Sequence, residues 1–301
     1  MNTDTTSHTL RGVVCTALGG VCWGFSGTCG QYLFSRWPGV STMWLTCVRL
    51  LAGGIILMVM AAIRCPQHLR DIWRDRRDAA EVILFGLLGL VPCQYAYMSA
   101  ISYSNAATTT VLQNVSLVFI MLISCCAARR LPRRIELVSL VLAGFGVWII
   151  ATGGDPRHMV LSPQGLFWGM VTAGGITVYT ILPKRLLSRW SREAVNGWAM
   201  FLGGVALNLG VRSWNFTADL PLRGWLAVAA IVVLGTVVSM TLFSQGIHDI
   251  GPVRTSMLAT TEPMSAAVFS AVWLGTRFSA ADLVGFACII ATILLLAKSE
   301  E

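Results

Sequence analysis

Two ionisable side chains stand inside long apolar runs of the sequence, Arg49 and Glu262. A charge near the centre of a bilayer costs about 2.5–3.5 kcal/mol on insertion scales, so such residues face a bundle interior and commonly act on a solute or proton. Glu262 could titrate or meet a solute ammonium, and Arg49 could attract a carboxylate. The structural alternatives are a buried pair between them, or an Arg49 that snorkels to the outer interface and clamps a helix end. Pro263 directly follows Glu262, and Pro92 lies inside another apolar run. Each removes a backbone N–H, so each should kink its helix and free carbonyls of the preceding turn for a cavity or a partner helix.

Uncharged polar groups gather at similar depth. Gln94, Tyr95 and Met98 share one run, Gln113 and Asn114 the next, with Tyr179, Ser239 and Gln245 in later ones. In lipid, amides must find partners, so they point inward, either to each other or to a water-filled cavity. Trp23 and Trp168 lie deep in their runs, where an indole can line an amphipathic cavity or fill a core. Each indole stands within a GxxxG pair, Gly20/Gly24 and Gly165/Gly169, which permits close helix approach and suggests a seam between the two runs. Glu136, Glu193 and Asp282 begin runs, where helix-dipole capping accounts for them.

Other chemistries lack their residues. Cys15, Cys22 and Cys29 recur every seven positions on one helix face, but no CxxC occurs, and His8, His68, His158 and His248 fall in tails or loops. No metal site or cofactor is expected. A single midplane acid without deep histidine does not make an intramembrane enzyme. No GxxxxGK[ST] loop for an ATP-driven pump is present.

These residues need elements to hold them, and composition says which. Of 301 residues, 55% are hydrophobic and 12% charged, about half the roughly 25% charge of soluble domains; mean hydropathy is +0.69. That describes an all-α integral membrane protein. Runs long enough to cross a bilayer are expected at 11–34, 41–63, 79–102, 105–127, 135–152, 163–187, 193–211, 222–246, 251–274 and 280–297. The first lacks a basic residue before Arg11 and is long for a signal peptide, so it reads as a retained helix. Of 22 Lys and Arg, 16 fall in segments on the N-terminal side and 5 on the other. Both termini are therefore expected in the cytoplasm of a multi-pass cell-membrane protein. The basic clusters read as solvated topology signals; the net charge of +8 does not imply nucleic acid, because no basic groove with interleaved aromatics exists.

The sequence also repeats. Gly20-Val-Cys-Trp-Gly24 returns as Gly165-Leu-Phe-Trp-Gly169, an offset of 145. At an offset of 146, Leu88-Gly89 matches Leu234-Gly235, Thr109 matches Thr255, Leu112 matches Leu258, and Leu137-Val138 matches Leu283-Val284. Residues 1–152 and 153–301 are thus expected to form two five-helix repeats. Five being odd, the second must be inverted, an architecture of secondary transporters with a midplane site between the repeats. The loop charges agree: basic 129–134 answers to nearly neutral 275–279.

Thr261-Glu262-Pro263, then Leu274-Gly275 and Asp282-Leu-Val-Gly285, resemble the closing signature of EamA-type members of the drug/metabolite transporter superfamily. The two Trp-Gly pairs, Arg49-Leu-Leu-Ala52 and the ten-span plan are similar too. In two places the chain departs from that pattern: Thr276-Arg277 replaces the acid often found after Leu-Gly, and Leu117 stands where the first repeat often has proline. Span 4 is therefore expected to be less kinked. The resemblance implies a transporter of small metabolites, amino acids or drug-like solutes, as monomer or homodimer. Trp23, Gln94, Tyr95, Met98, Gln113, Asn114, Trp168, Tyr179 and Glu262 are the candidate solute contacts, with Arg49 and Glu262 as charges. A channel or a non-transporting scaffold is the alternative.

Overall fold

The computed structural model describes residues 3–155, 157, 159–216 and 219–299; His158, expected in a loop, lies outside them. Helices account for nearly all of the described chain. In order they are α1 (Thr3–Arg36), α2 (Thr42–Arg64), α3 (Arg76–Tyr103), α4 (Ala106–Ala127), α5 (Arg134–Thr152), α6 (Pro163–Arg189), α7 (Arg192–Val211), α8 (Leu222–Ile250), α9a (Pro252–Leu258), α9b (Thr261–Leu274) and α10 (Ala280–Ser299). Among the described residues, nine helices, α1 to α8 and α10, are long and apolar enough to cross a membrane. Their starts are fixed locally: Ser41, Asn105, Ser162 and Ser191 cap α2, α4, α6 and α7, each accepting a backbone N–H three residues on.

The ninth expected span departs from a continuous helix. It breaks at Ala259-Thr260 into α9a and α9b. Pro263 has no N–H to continue the ladder, and the chain tightens to an i→i−3 bond from Glu262 N–H to the Ala259 carbonyl, 3.0 Å. The first half of the chain departs from a second expectation. Despite Leu117 in place of proline, α4 is interrupted at the matching point, Asn114-Val115, where both N–H groups bond three residues back at 3.1 Å. The Asn114 side chain supplies the reason, donating to the Thr110 carbonyl at 2.7 Å and competing with the helical ladder.

Packing joins the two halves throughout. α1 lies against α8 and α9b, while α6 lies against α3 and α4; α2 pairs with α7, and α5 with α10. Each contact maps onto its partner by exchanging the halves. Glycines set the closest approaches: a Cβ on Gly54 would sit 2.7 Å from the Phe201 N of α7, and one on Gly285 would sit 3.0 Å from the Gly146 carbonyl of α5. The GxxxG pairs do not form the expected seam between spans 1 and 6. Gly24 packs on α9b, where a Cβ would come within 2.7 Å of Ala266 N, and Gly169 packs on Leu112 of α4. The residues they admit belong to the broken helices, so close approach serves those breaks.

Both α3 and α8 widen into π-helix, at Phe85–Leu90 and Val233–Val238, each around a matched Leu-Gly. Pro92 follows the first, but no proline accompanies the second, so proline alone does not cause the widening.

The basic clusters are not merely solvated. Arg11 forms a bidentate pair with Asp249, both bonds 2.8 Å; Arg64 lies 3.7 Å from Glu193. Asp78, whose side chain is wholly buried, accepts from Arg185, from Arg189 at 2.8 Å and from Trp190 Nε1 at 2.8 Å. Arg185 also meets Glu81 at 2.9 Å, and Arg189 meets Asp75 at 3.2 Å. All of these tie a segment of the first half to one of the second, at the end of the bundle where the N-terminus lies.

Removing the buried charge at Asp78 leaves Arg185 with Glu81 and Arg189 with Asp75 but takes away the acceptor the three groups share, so Asp78→Asn should lower Tm in detergent by roughly 2–4 °C. Arg74→Gln, which removes an exposed i,i+3 pair with Asp71, should move it by no more than about 1 °C. The Arg77 N–H, followed by Arg189, holds Asp75 below the usual carboxylate range. A depressed carboxylate stabilises the fold above its unfolded pKa, near 4, and loses that contribution as pH falls through the folded value. Wild-type and Asp75→Asn midpoints, separated at neutral pH, should therefore converge as pH falls through the carboxylate range; a gap that persists in acid would refute the ionic account of Asp75.

Candidate functional site

The two broken helices meet. Gln113, the last residue before the α4 break, donates from Nε2 to Glu262 Oε1 at 2.8 Å, just past the α9 break. Glu262 is half-buried, and its second oxygen has no partner among the described residues. The carbonyls that Pro263 was expected to free are already satisfied: Ala259 by Glu262 N–H, Leu258 by Thr261 Oγ1 at 2.8 Å, and Met257 by Thr260 Oγ1 at 2.9 Å. Local hydroxyls seal the break, so the Glu262 carboxylate, and not loose backbone, is what it presents.

Arg49 follows neither structural alternative. It is 6% exposed and hence not at an interface, and no carboxylate lies within 4 Å among the described residues. Instead Nη2 donates to the Gly235 carbonyl at 3.1 Å, Nε to Thr236 Oγ1 at 3.4 Å, and the guanidinium stands 6.0 Å from the Tyr97 ring centroid. Nη1 is buried without a partner. Gly235 and Thr236 belong to the π segment of α8, so the guanidinium links that widening to the first half.

The remaining candidates divide. Tyr95 of α3 meets Trp168 of α6 edge to face, centroids 5.2 Å apart. Gln94 is half-buried, while Asn114 uses its amide on its own helix. Met98 is fully buried in the apolar core with Cys29, Leu33 and Ile101. Pro92 stays exposed on the outer face of α3.

A cavity of about 410 Å³ opens between the halves at the ion-paired end. Trp23 and Tyr179 line it, as do Leu57, Phe85, Met240 and Phe243, with Arg192, Glu193 and Asn196 among its polar lining. Trp23 and Phe243 pack at 5.1 Å. Gln94, Tyr95, Gln113, Asn114, Trp168 and Glu262 are not on its wall.

The opposite end is tied by hydrogen bonds and ring stacking, beside a second cavity of about 510 Å³ that Phe25, Tyr32, Arg223 and Trp273 help to line. Gln31 of α1 accepts at Oε1 from the Ala106 N–H at 2.9 Å and from Ser270 Oγ at 3.0 Å, and donates from Nε2 to Thr276 Oγ1 at 2.9 Å. It thereby joins α1, the start of α4 and the end of α9b. Beside it Trp273 stacks on Tyr32 at 4.9 Å and on Phe25 at 5.7 Å.

Sequence reasoning missed Gln31, Arg192 and Asn196 as site residues. Asn196 carried a legible signal, being an amide inside an apolar run four positions after Arg192.

The EamA-like transporter family matches the chain twice, over residues 10–152 and 163–298. An uncharacterized inner membrane transporter of Salmonella typhimurium, YicL, is 31% identical over 295 residues, covering 97% of both chains. An uncharacterized transporter of Archaeoglobus fulgidus is 24% identical, covering 87% of this chain and 89% of its own. One crystal structure superposes with a TM-score of 0.59 at 18% identity, covering 96% of this chain and 97% of its own, a likeness of fold. With its helical membrane bundle and the family matched across both halves, the chain belongs to the EamA-like transporter family, as a multi-pass membrane protein.

Proposed function

We propose that the chain is a secondary transporter that exports a small organic solute, such as an amino acid or drug-like molecule, by alternating access between two inverted five-helix repeats, 1–152 and 153–301. The broken α9a–α9b pair serves as the tenth span, answering to interrupted α4. The observation that carries this reading is the amphipathic cavity between the halves at the ion-paired end, whose lining carries charged and amide groups, while at the other end the Gln31 bonds tie α1, α4 and α9b across the halves. A solute enters among Trp23, Tyr179 and their neighbours. Rocking of the halves then exchanges the ion pairs at the open end for a seal there, and breaks the Gln31 bonds to release the solute. Trp168, Tyr95 and Gln94 lie on the α3–α6 contact, which answers to the α1–α8 contact across the halves, and so come into play as the halves move.

Glu262 supports proton coupling. Its free oxygen and its bond to Gln113 across the halves let protonation change how strongly the two broken helices hold each other. Arg49 fixes the π segment of α8 and counters the Glu262 charge through the interior. A channel would need both ends open at once, which this arrangement opposes.

The first test begins with thermal stabilisation of purified protein across a panel of amino acids, carboxylates, amines and nucleosides, since a ligand of the folded state raises Tm by mass action. Flux of the hit into proteoliposomes should then rise with an imposed pH gradient. Glu262→Gln should abolish that dependence while exchange of solute without a gradient persists; an unchanged pH response in Glu262→Gln removes the coupling.

Orientation follows from the same scheme, with both termini and the open cavity cytoplasmic. Alkaline phosphatase fused after residue 301 should be inactive in a bacterial host and active when fused after residue 220. The reverse pattern would invert the proposed direction.

A further inference from the structure

The cavity has a charge balance that transport alone does not require. Its charged lining residues are Arg192 and Glu193. Glu193 faces Arg64 at 3.7 Å, so the acid of the lining shares its charge with a base outside the cavity. Arg192, exposed at the first turn of α7, has no carboxylate within 4 Å among the described residues. One helical turn on, on the same face of α7, Asn196 is only 9% exposed, and its amide, with no hydrogen-bond partner among the described residues, lines the cavity. Its donors and acceptor are thus free to bond a ligand that enters. The opposing wall, from Trp23, Phe85 and Phe243, is aromatic.

We propose, on the transport reading above, that this cavity recognises an organic monocarboxylate with an aromatic or bulky apolar body. Arg192 supplies the charge and planar donors suited to a carboxylate, and the Asn196 amide adds a donor inside the cavity. The apolar body lies against Trp23, Phe85 and Phe243, in a volume within the usual range for small-molecule sites. An ammonium there would face the uncompensated Arg192 charge.

The test uses the full chain in phosphatidylcholine nanodiscs, with tryptophan fluorescence and thermal unfolding read against 3-phenylpropionate, 3-phenylpropionamide, 3-phenylpropylamine and propionate. The expected result is that 3-phenylpropionate binds roughly tenfold or more tightly than the other three. Arg192→Gln should remove that preference. Asn196→Asp, which keeps the side-chain shape, should weaken the carboxylate and favour the amine. Equal or tighter binding of the amine or amide, or full carboxylate affinity in Arg192→Gln, overturns the proposal. Adding phosphatidylglycerol separates a lipid headgroup from a solute: unchanged 3-phenylpropionate binding upholds the site, and its abolition shows that Arg192 holds lipid phosphate and overturns it. Flux assays on the same samples keep the two readings apart. Carboxylate binding without flux of any solute removes transport and leaves the site, whereas flux with amines bound more tightly removes the site and leaves transport.

Discussion

The hydrogen bond from Gln113 to Glu262 ties together the two places where the helical ladder is interrupted. Within lipid, a broken ladder is tolerated only where protein or a water-filled cavity satisfies the backbone. Both breaks are therefore turned into the contact between the halves, and hydroxyls of Thr260 and Thr261 and the amide of Asn114 take the carbonyls that each break leaves. Gly20 and Gly24 on α1 make room for this, since any side chain there would strike the start of α9b. The arrangement of α1 against α9b, and of α6 against α4, follows from hiding two defects at once.

Much of the fold could be read in the sequence because membrane insertion imposes a simple rule on length and polarity. The boundaries of α2, α5 and α10 lie within a residue or two of the apolar runs, and the glycine caps that end α5 and α9b, Gly153 and Gly275, adopt the left-handed backbone that such positions favour. At the point matching Gly275, the first half uses Arg129 in the same conformation, φ 49° against 66°. What was not legible depends on partners far away in the chain. Leu117 suggested a smoother α4, but the break there comes from the Asn114 amide. The basic residues near 185–189 suggested topology alone, yet Asp78, Glu81 and Asp75 arrive from a segment about a hundred residues earlier to meet them.

The candidate site was legible by chemistry more than by place. Depth and polarity singled out Glu262 and Gln113, which do meet, and Trp23 and Tyr179, which do line a cavity. The same criteria admitted Met98, which the packing buries in the core, because helical spacing cannot say which neighbour a face meets. Arg49 shows the converse. Its burial was foreseeable, but its partner is the Gly235 carbonyl at a π widening that no residue pattern announces. Gln31 was passed over because a glutamine near a span end looks like an ordinary interfacial residue until three helices converge on it.

The account stands on the two ends of the bundle opening in alternation. Spin-label distances test this most directly, with the nine native cysteines replaced and label pairs placed at 74 and 188 for the ion-paired end and at 36 and 277 for the Gln31 end. In lipid, a transported solute or an imposed pH change should shift the two distance distributions in opposite senses, one end closing as the other opens. Distributions that stay fixed, or that widen together, would contradict alternating access between the halves.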